Sequence, residues 1–147
     1  MLWFGGAMNQ PYEFFDHTAD IGVRVFGATL PELFVHAAQA MYTVLGELEK
    51  TGDRRQKTVE LHAELLEDLL HDWLAELLYA IEAEHVLYDE FAISNLRSPI
   101  LTATLSGGPI DFARSHLNEE IKAVTYHRLQ VQQQPDGTWQ ATVIFDV

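Results

Sequence analysis

Between Leu66 and Ile81 the apolar positions step by three and by one in turn: Leu66, Leu69, Leu70, Trp73, Leu74, Leu77, Leu78 and Ile81. A helix gathers positions so spaced on one broad face, whereas a strand would scatter them to both sides of a sheet. The segment is therefore committed to a helix with one buried face. Glu67, Asp68, Asp72, Glu76 and Glu82 fall on the other side. That acidic side reads either as a solvated face or as a docking surface for a basic partner.

A second helix is marked at its start. Thr29-Leu30-Pro31-Glu32 fits a capping box, with Thr29 as N-cap, Glu32 reaching back, and Pro31 tolerated in the first turn. Leu30, Leu33, Phe34, Ala37, Ala38, Met41 and Leu45 continue one apolar face, and Gly46 is a natural stop. Elsewhere the chain reads as strand. Ile21, Val23 and Val25 alternate; Lys57 to Ala63, Phe91 to Leu96, Ile100 to Leu105, Ala123 to Gln133 and Trp139 to Phe145 are rich in β-branched and aromatic residues. Pro135-Asp136-Gly137 turns the last two into a hairpin. Helices and strands do not alternate strictly, so the expected fold is α+β: two helices packed on a mostly antiparallel, mixed β-sheet in a single domain. Residues 1–11 read as a flexible N-terminal extension and 12–147 as the domain.

The chain of 147 residues carries 22 Asp plus Glu against 9 Lys plus Arg, a formal charge of −13. Such a surface repels phosphate backbones and gains nothing from counterion release, which argues against direct nucleic-acid binding. A metal ion or a basic protein partner suits it better. With no cysteine, disulfides and thiolate chemistry are excluded. The apolar start, Met1 to Met8, is short and lacks a basic flank, a poor signal peptide, and no segment approaches the ~20 apolar residues that span a bilayer. The cytoplasm is the expected compartment, with no membrane partner.

Two segments concentrate oxygen ligands. Asp16-His17-Thr18-Ala19-Asp20 stands where the chain enters the Ile21 strand, and Asp146-Val147 ends the chain with a side-chain and a terminal carboxylate. The Asp and Thr residues of the first segment could equally cap turns. A strand that ends in an acid at the terminus has no packing benefit, which favours a hard metal ion, Ca²⁺, Mg²⁺ or Mn²⁺, held where the two segments meet. The absence of cysteine and of a paired-histidine motif argues against structural zinc. A third segment, Glu119 to His127, brings Lys122, Tyr126 and His127 to the start of a strand. Lys122 could neutralise carboxylates, contact phosphate, act as acid or base, or form an ordinary surface ion pair. Gly107-Gly108-Pro109 lacks the spacing and lysine of a phosphate loop, and no Gly-x-Ser-x-Gly is present. No complete catalytic set emerges.

Asp16-His17-Thr18-Ala19-Asp20-Ile21-Gly22, the Leu30 to Met41 helix, Leu69 to Leu78 around Trp73, Glu120 to His127 and the terminal Asp146-Val147 together strongly resemble the archease family. The resemblance runs in order from Tyr12 to Val147. It implies a protein cofactor rather than an enzyme: one that assists an RtcB-type RNA ligase in tRNA splicing and RNA repair by promoting guanylylation of the ligase and repeated turnover. It also implies that Asp20, Asp146 and the terminal Val147 are the metal ligands and that Lys122 is the residue needed for ligase activation. Asp16, His17, Tyr126 and His127 stand as candidates around the ligands. The chain departs from the family pattern at Gly108-Pro109 and across Ala113 to Asn118, so the resemblance assigns no role to Asp111, Arg114 or His116. Two other classes stay open: a stand-alone metal-dependent hydrolase such as a phosphatase, and a chaperone-like interaction module working through the acidic helix face.

Overall fold

The computed structural model describes residues 10–147, without the side chain of His17. Most of the N-terminal extension expected over residues 1–11 therefore lies outside the described residues.

In chain order the strands are β1 (Tyr12–His17), β2 (Asp20–Gly27), β3 (Gly46–Glu47), β4 (Arg55–His62) and β5 (Val86–Arg97). They continue as β6 (Ile100–Pro109), β7 (His116–Leu117), β8 (Ala123–Val124), β9 (Gln130–Gln133) and β10 (Trp139–Asp146). Among the described residues there are two α-helices, α1 (Leu30–Leu45) and α2 (Leu66–Tyr79).

Helix α1 begins as its sequence dictates. Thr29 Oγ1 accepts the Glu32 N–H at 3.2 Å, and Glu32 Oε1 accepts the Ala28 N–H at 2.9 Å, so both side chains satisfy amides the helix leaves unpaired. It ends at Gly46, whose φ of 134° lets the chain turn against the backbone of His116 and Leu117, where no Cβ fits. Helix α2 runs on through a wider π-helical turn, Ala80–Glu84, and stops at His85 with φ 57°. Leu69, Leu70, Trp73, Leu74, Leu77 and Leu78 are buried, as their spacing requires. Trp73 Nε1 donates to the Phe34 carbonyl at 2.9 Å, tying the two helices together inside the core.

Every strand pairing among the described residues is antiparallel. The α+β class with two helices holds, but the strands do not form one sheet. Five make a sheet in the order β1-β2-β10, with β8 and β9 sharing the far edge of β10; β4-β6-β5 make a second, and β3-β7 a short ribbon. The helices do not cover one face of a single sheet either. Helix α1 packs against β2 and β10 of the first sheet and β5 of the second, while α2 packs against β8 and β9 of the first and β4 of the second. Each helix thus buries apolar surface against both sheets, which explains why α1 hides a face broad enough to include Leu33, Ala37, Ala40 and Val44 as well as Phe34, Ala38, Met41 and Leu45.

Two strand assignments change. Residues 123–133, read as one strand, are two short strands separated by a turn, in which Leu129 N–H donates to the Tyr126 carbonyl and Arg128 adopts φ 56°. Residues 12–17, not assigned to a strand from the sequence, form β1, paired with β2 from Tyr12↔Val25 to His17↔Asp20.

Candidate functional site

In an antiparallel sheet, residues directly opposite each other point to the same face. The register Phe145↔Ile21 and Phe145↔Val124 places those side chains toward the helices, where Phe145 and Val124 are buried. The next position alternates outward. There His17 pairs with Asp20, Asp20 with Asp146, and Asp146 with Ala123. The backbones of four strands therefore meet in one row at the end of the sheet, with Asp20, Asp146 and Ala123 on the face away from the helices. The Cβ atoms of such a pair lie ~4.5–5.5 Å apart, so the Asp20 and Asp146 carboxylates are neighbours. Both residues are half-buried, as is Val147 beside them. The backbone pairing thus brings Asp20 beside Asp146 and Val147, although nearly the whole chain lies between them.

Lys122 joins the same end of the sheet through its backbone: its N–H donates to the Asp146 carbonyl at 2.7 Å. Ile121 before it is completely buried and anchors the segment, leaving the Lys122 side chain exposed. Thr125 fixes the following turn, donating through both N–H (3.1 Å) and Oγ1 (2.8 Å) to the Ile144 carbonyl and accepting the His127 N–H on Oγ1 at 3.2 Å.

The remaining candidates are placed as follows. Asp16 is exposed, and strand alternation gives it to the opposite face from Asp20. The His17 backbone is directly opposite Asp20. Tyr126 leans toward α2, its ring stacked on His71 at 4.0 Å between centroids, and its hydroxyl is held above the usual phenol range by lost hydration and then by the Asp72 and Asp68 carboxylates. Asp111, Arg114 and His116 lie in another region, where Asp111 accepts the Ala113 N–H at 3.1 Å and Arg114 faces Glu49 at 3.5 Å.

The donor set is chemically hard. Two carboxylates opposite each other on adjacent strands repel, and an arrangement of this kind is relieved by a cation between them. A divalent ion held by few protein oxygens retains several waters, as Mg²⁺ in particular does. Among the described residues no group of three or more His, Cys, Asp or Glu side chains is arranged to hold a metal. A site at Asp20 and Asp146 therefore needs the terminal carboxylate or water to complete it.

The acidic face of α2 is partly used inside the fold. Glu67 Oε2 accepts the Val131 N–H at 3.0 Å, Asp72 meets His71 Nδ1 at 3.0 Å, and Glu76 pairs with Lys57 Nζ at 3.0 Å. The sequence reading also passed over Phe15, Arg24 and Arg128. Arg24 was marked by the alternation in Ile21 to Phe26, whereas only the register of β1 puts Phe15 on the outer face with Arg24 and Asp20. Among the described residues no helix is long and apolar enough to cross a membrane.

A family model described as the Archease protein family (MTH1598/TM1083) matches residues 12–147. Protein archease of Methanosarcina barkeri is 37% identical over 145 residues, covering 96% of this chain and 99% of that protein. Protein archease of Pyrococcus furiosus is 34% identical over 141 residues, covering 94% and 99%. The solution structure of Methanobacterium thermoautotrophicum protein 1598 superposes with a TM-score of 0.72 at 31% identity, covering 93% of this chain and 99% of that one. A crystal structure from Thermotoga maritima, described as an archease and possible chaperone, shares the fold with a TM-score of 0.66 at 24% identity, covering 95% and 98%.

Proposed function

The chain belongs to the archease family, and we propose on that basis that it is an accessory protein of an RtcB-type RNA ligase, carrying a divalent cation to the ligase rather than turning over a substrate itself. The observation that supports this most is the direct pairing of Asp20 with Asp146 on an exposed sheet end, beside the terminal carboxylate and the Lys122 backbone. A cation held there would be presented at the rim of the protein rather than buried in a pocket, which suits delivery into a partner's active site. In that setting it would stabilise negative charge on nucleotide phosphates as a Lewis acid. Lys122, exposed beside it, would add a mobile positive charge. The reading also reconciles a chain of charge −13 with an RNA pathway, because the contacts to RNA belong to the ligase.

The test is guanylylation and multiple-turnover joining by the cognate ligase, with wild-type protein, Asp146→Ala and Lys122→Ala. Stimulation by the wild type and its loss in both folded variants is the expected result. Full stimulation by the variants would overturn the proposal, and phosphate-ester hydrolysis by the purified protein with Mg²⁺ or Mn²⁺ would replace it with the hydrolase reading.

A further inference from the structure

The outer face of the five-stranded sheet carries a second feature that the acid row does not use. A cleft of about 530 Å³ opens there, its walls including Phe15, Asp16, Arg24, Arg128, Gln130 and Thr142. Two of the 9 basic residues of a strongly acidic chain converge on it. The register explains how. Glu13↔Arg24, Arg24↔Thr142 and Thr142↔Gln130 form one row across β1, β2, β10 and β9, all on the face that also carries Asp20 and Asp146. Arg24 lies over the Phe15 ring, its Cζ 4.5 Å from the ring centroid, and Phe15 in turn covers Gly22, where any Cβ would strike the ring. Arg128 enters from the opposite side, from the tip of the β8–β9 turn, where its φ of 56° departs from the usual backbone of a non-glycine residue.

The two guanidiniums are not consumed by the fold. Arg24 contacts Glu13 at 3.4 Å through Nη1 alone, and both side chains are about two-fifths exposed (43% and 41%). A long, exposed pair of this kind is weak and leaves most of the guanidinium's five donors available. Among the described residues Arg128 has no carboxylate at ion-pair distance. Asp16, the one carboxylate residue lining the cleft, stands on β1 at a position that alternates to the helix-facing side of the sheet. The cleft thus offers two forked cations, a hydroxyl from Thr142 and an amide from Gln130 around an aromatic floor. Forked donors in this number match a tetrahedral oxyanion better than a single carboxylate. The volume also exceeds that of a bare anion and falls within the range of small-ligand pockets.

We propose that this cleft binds the phosphate group of a phosphomonoester, with Arg24 and Arg128 as its charged donors and Thr142 and Gln130 completing the set. The row that carries the donors, Arg24↔Thr142, is four residues from the acid row Asp20↔Asp146, or ~13 Å along the strands. A phosphate in the cleft is thus out of contact with the carboxylates and with a cation held by them. The inference does not rest on the metal reading, since the arginine pair is a separate set of residues.

The experiment is a titration of the full chain with guanosine monophosphate, inorganic phosphate and guanosine, at low salt with and without Mg²⁺, followed in amide proton–nitrogen spectra. Guanosine monophosphate should shift the amides of Arg24, Arg128, Gln130 and Thr142 while guanosine leaves them still. Inorganic phosphate acting at the same amides also supports the proposal and shows that the ester adds little. Arg24→Gln and Arg128→Gln should each weaken the interaction about tenfold, the loss of one charged hydrogen-bonding group. Undisturbed amides throughout, guanosine acting as well as its monophosphate, or a folded double variant that binds like wild type would each overturn it. Asp146→Ala, assayed in parallel for Mn²⁺ binding, keeps the two readings apart: absent cation binding with intact phosphate shifts leaves this inference standing.

Discussion

Asp20 and Asp146 are direct partners across β2 and β10, two like charges in register on adjacent strands at the open end of the sheet. Sheets disfavour that pairing in the absence of a cation, so the pair should show opposite behaviour with and without metal. Without divalent ions Asp146→Asn should be as stable as wild type or more so, by up to about 1 kcal/mol, the usual scale of a cross-strand charge pair. With metal the order should reverse. Wild type gains ~2.7 kcal/mol when the ion is at a hundred times its dissociation constant, and the variant should gain almost none. Chemical denaturation in chelator and in millimolar Mn²⁺ or Ca²⁺ reads both halves. A wild type whose midpoint ignores the metal would dismiss the site.

The terminal carboxylate of Val147 gives a second test that changes no side chain. Val147 is half-buried beside Asp146 and packs on the core. A Gly-Ser extension after it, or an amidated terminus, removes the terminal charge but leaves β10 paired from Trp139↔Gly27 to Asp146↔Asp20. Cation affinity measured by calorimetry should fall about tenfold or more while the metal-free melting temperature stays close to wild type, because one of few anionic ligands is lost. Equal affinity in the extended chain would show that Asp20 and Asp146 suffice.

The sequence made some of this legible and hid the rest for physical reasons. Helix α2 could be read because its burial is on one face, and α1 because Thr29 and Glu32 announce its start. The β8–β9 turn could not, since Thr125-Tyr126-His127-Arg128 contains no glycine, proline or asparagine and opens with two strand-favouring residues. The turn exists because Thr125 uses both its amide and its hydroxyl on the Ile144 carbonyl. Strand β1 was hidden by Phe14-Phe15, adjacent aromatics that break alternation: Phe14 faces the helix side at an edge, while Phe15 covers Gly22 on the other. For the acid row, the residue types suggested a meeting of the two segments, but the register that makes Asp20 and Asp146 partners is a property of the folded sheet.

The acidic side of α2 can now be tested with the right residues. Glu67 binds the Val131 amide at the start of β9, so Glu67→Lys should destabilise the fold by about 1.5–3 kcal/mol, the scale of a hydrogen bond to a charged group, in urea denaturation. Asp68→Lys, on the same side and free of such a bond, should cost less, about 0.5–1 kcal/mol, the scale of a charge in a helix's first turn. Loss of ligase stimulation in Asp68→Lys would therefore report docking, whereas loss in Glu67→Lys would report folding. Unimpaired stimulation by Asp68→Lys would remove that part of the helix from the interface.

Glu82 supplies a pH dependence of defined sign. Its carboxyl is held above the usual range, first by reduced hydration in the π-helical turn and then by Glu120 nearby. An acid whose folded value is raised binds more protons when folded than when unfolded, so it favours the fold at low pH and this contribution is lost as pH rises through the folded value. Glu82→Gln removes the penalty. The variant should match wild type at a pH below the ordinary glutamate value, where both states of the wild type are protonated. It should then become progressively the more stable protein toward neutral pH. Because the group is exposed, the gain is small and is best read as a difference in melting temperature across the pH series. Glu120→Gln should produce a difference of the same sign through the same pair. A difference that does not change with pH, or a less stable Glu82→Gln at neutral pH, would show that the side chain acts through packing rather than charge.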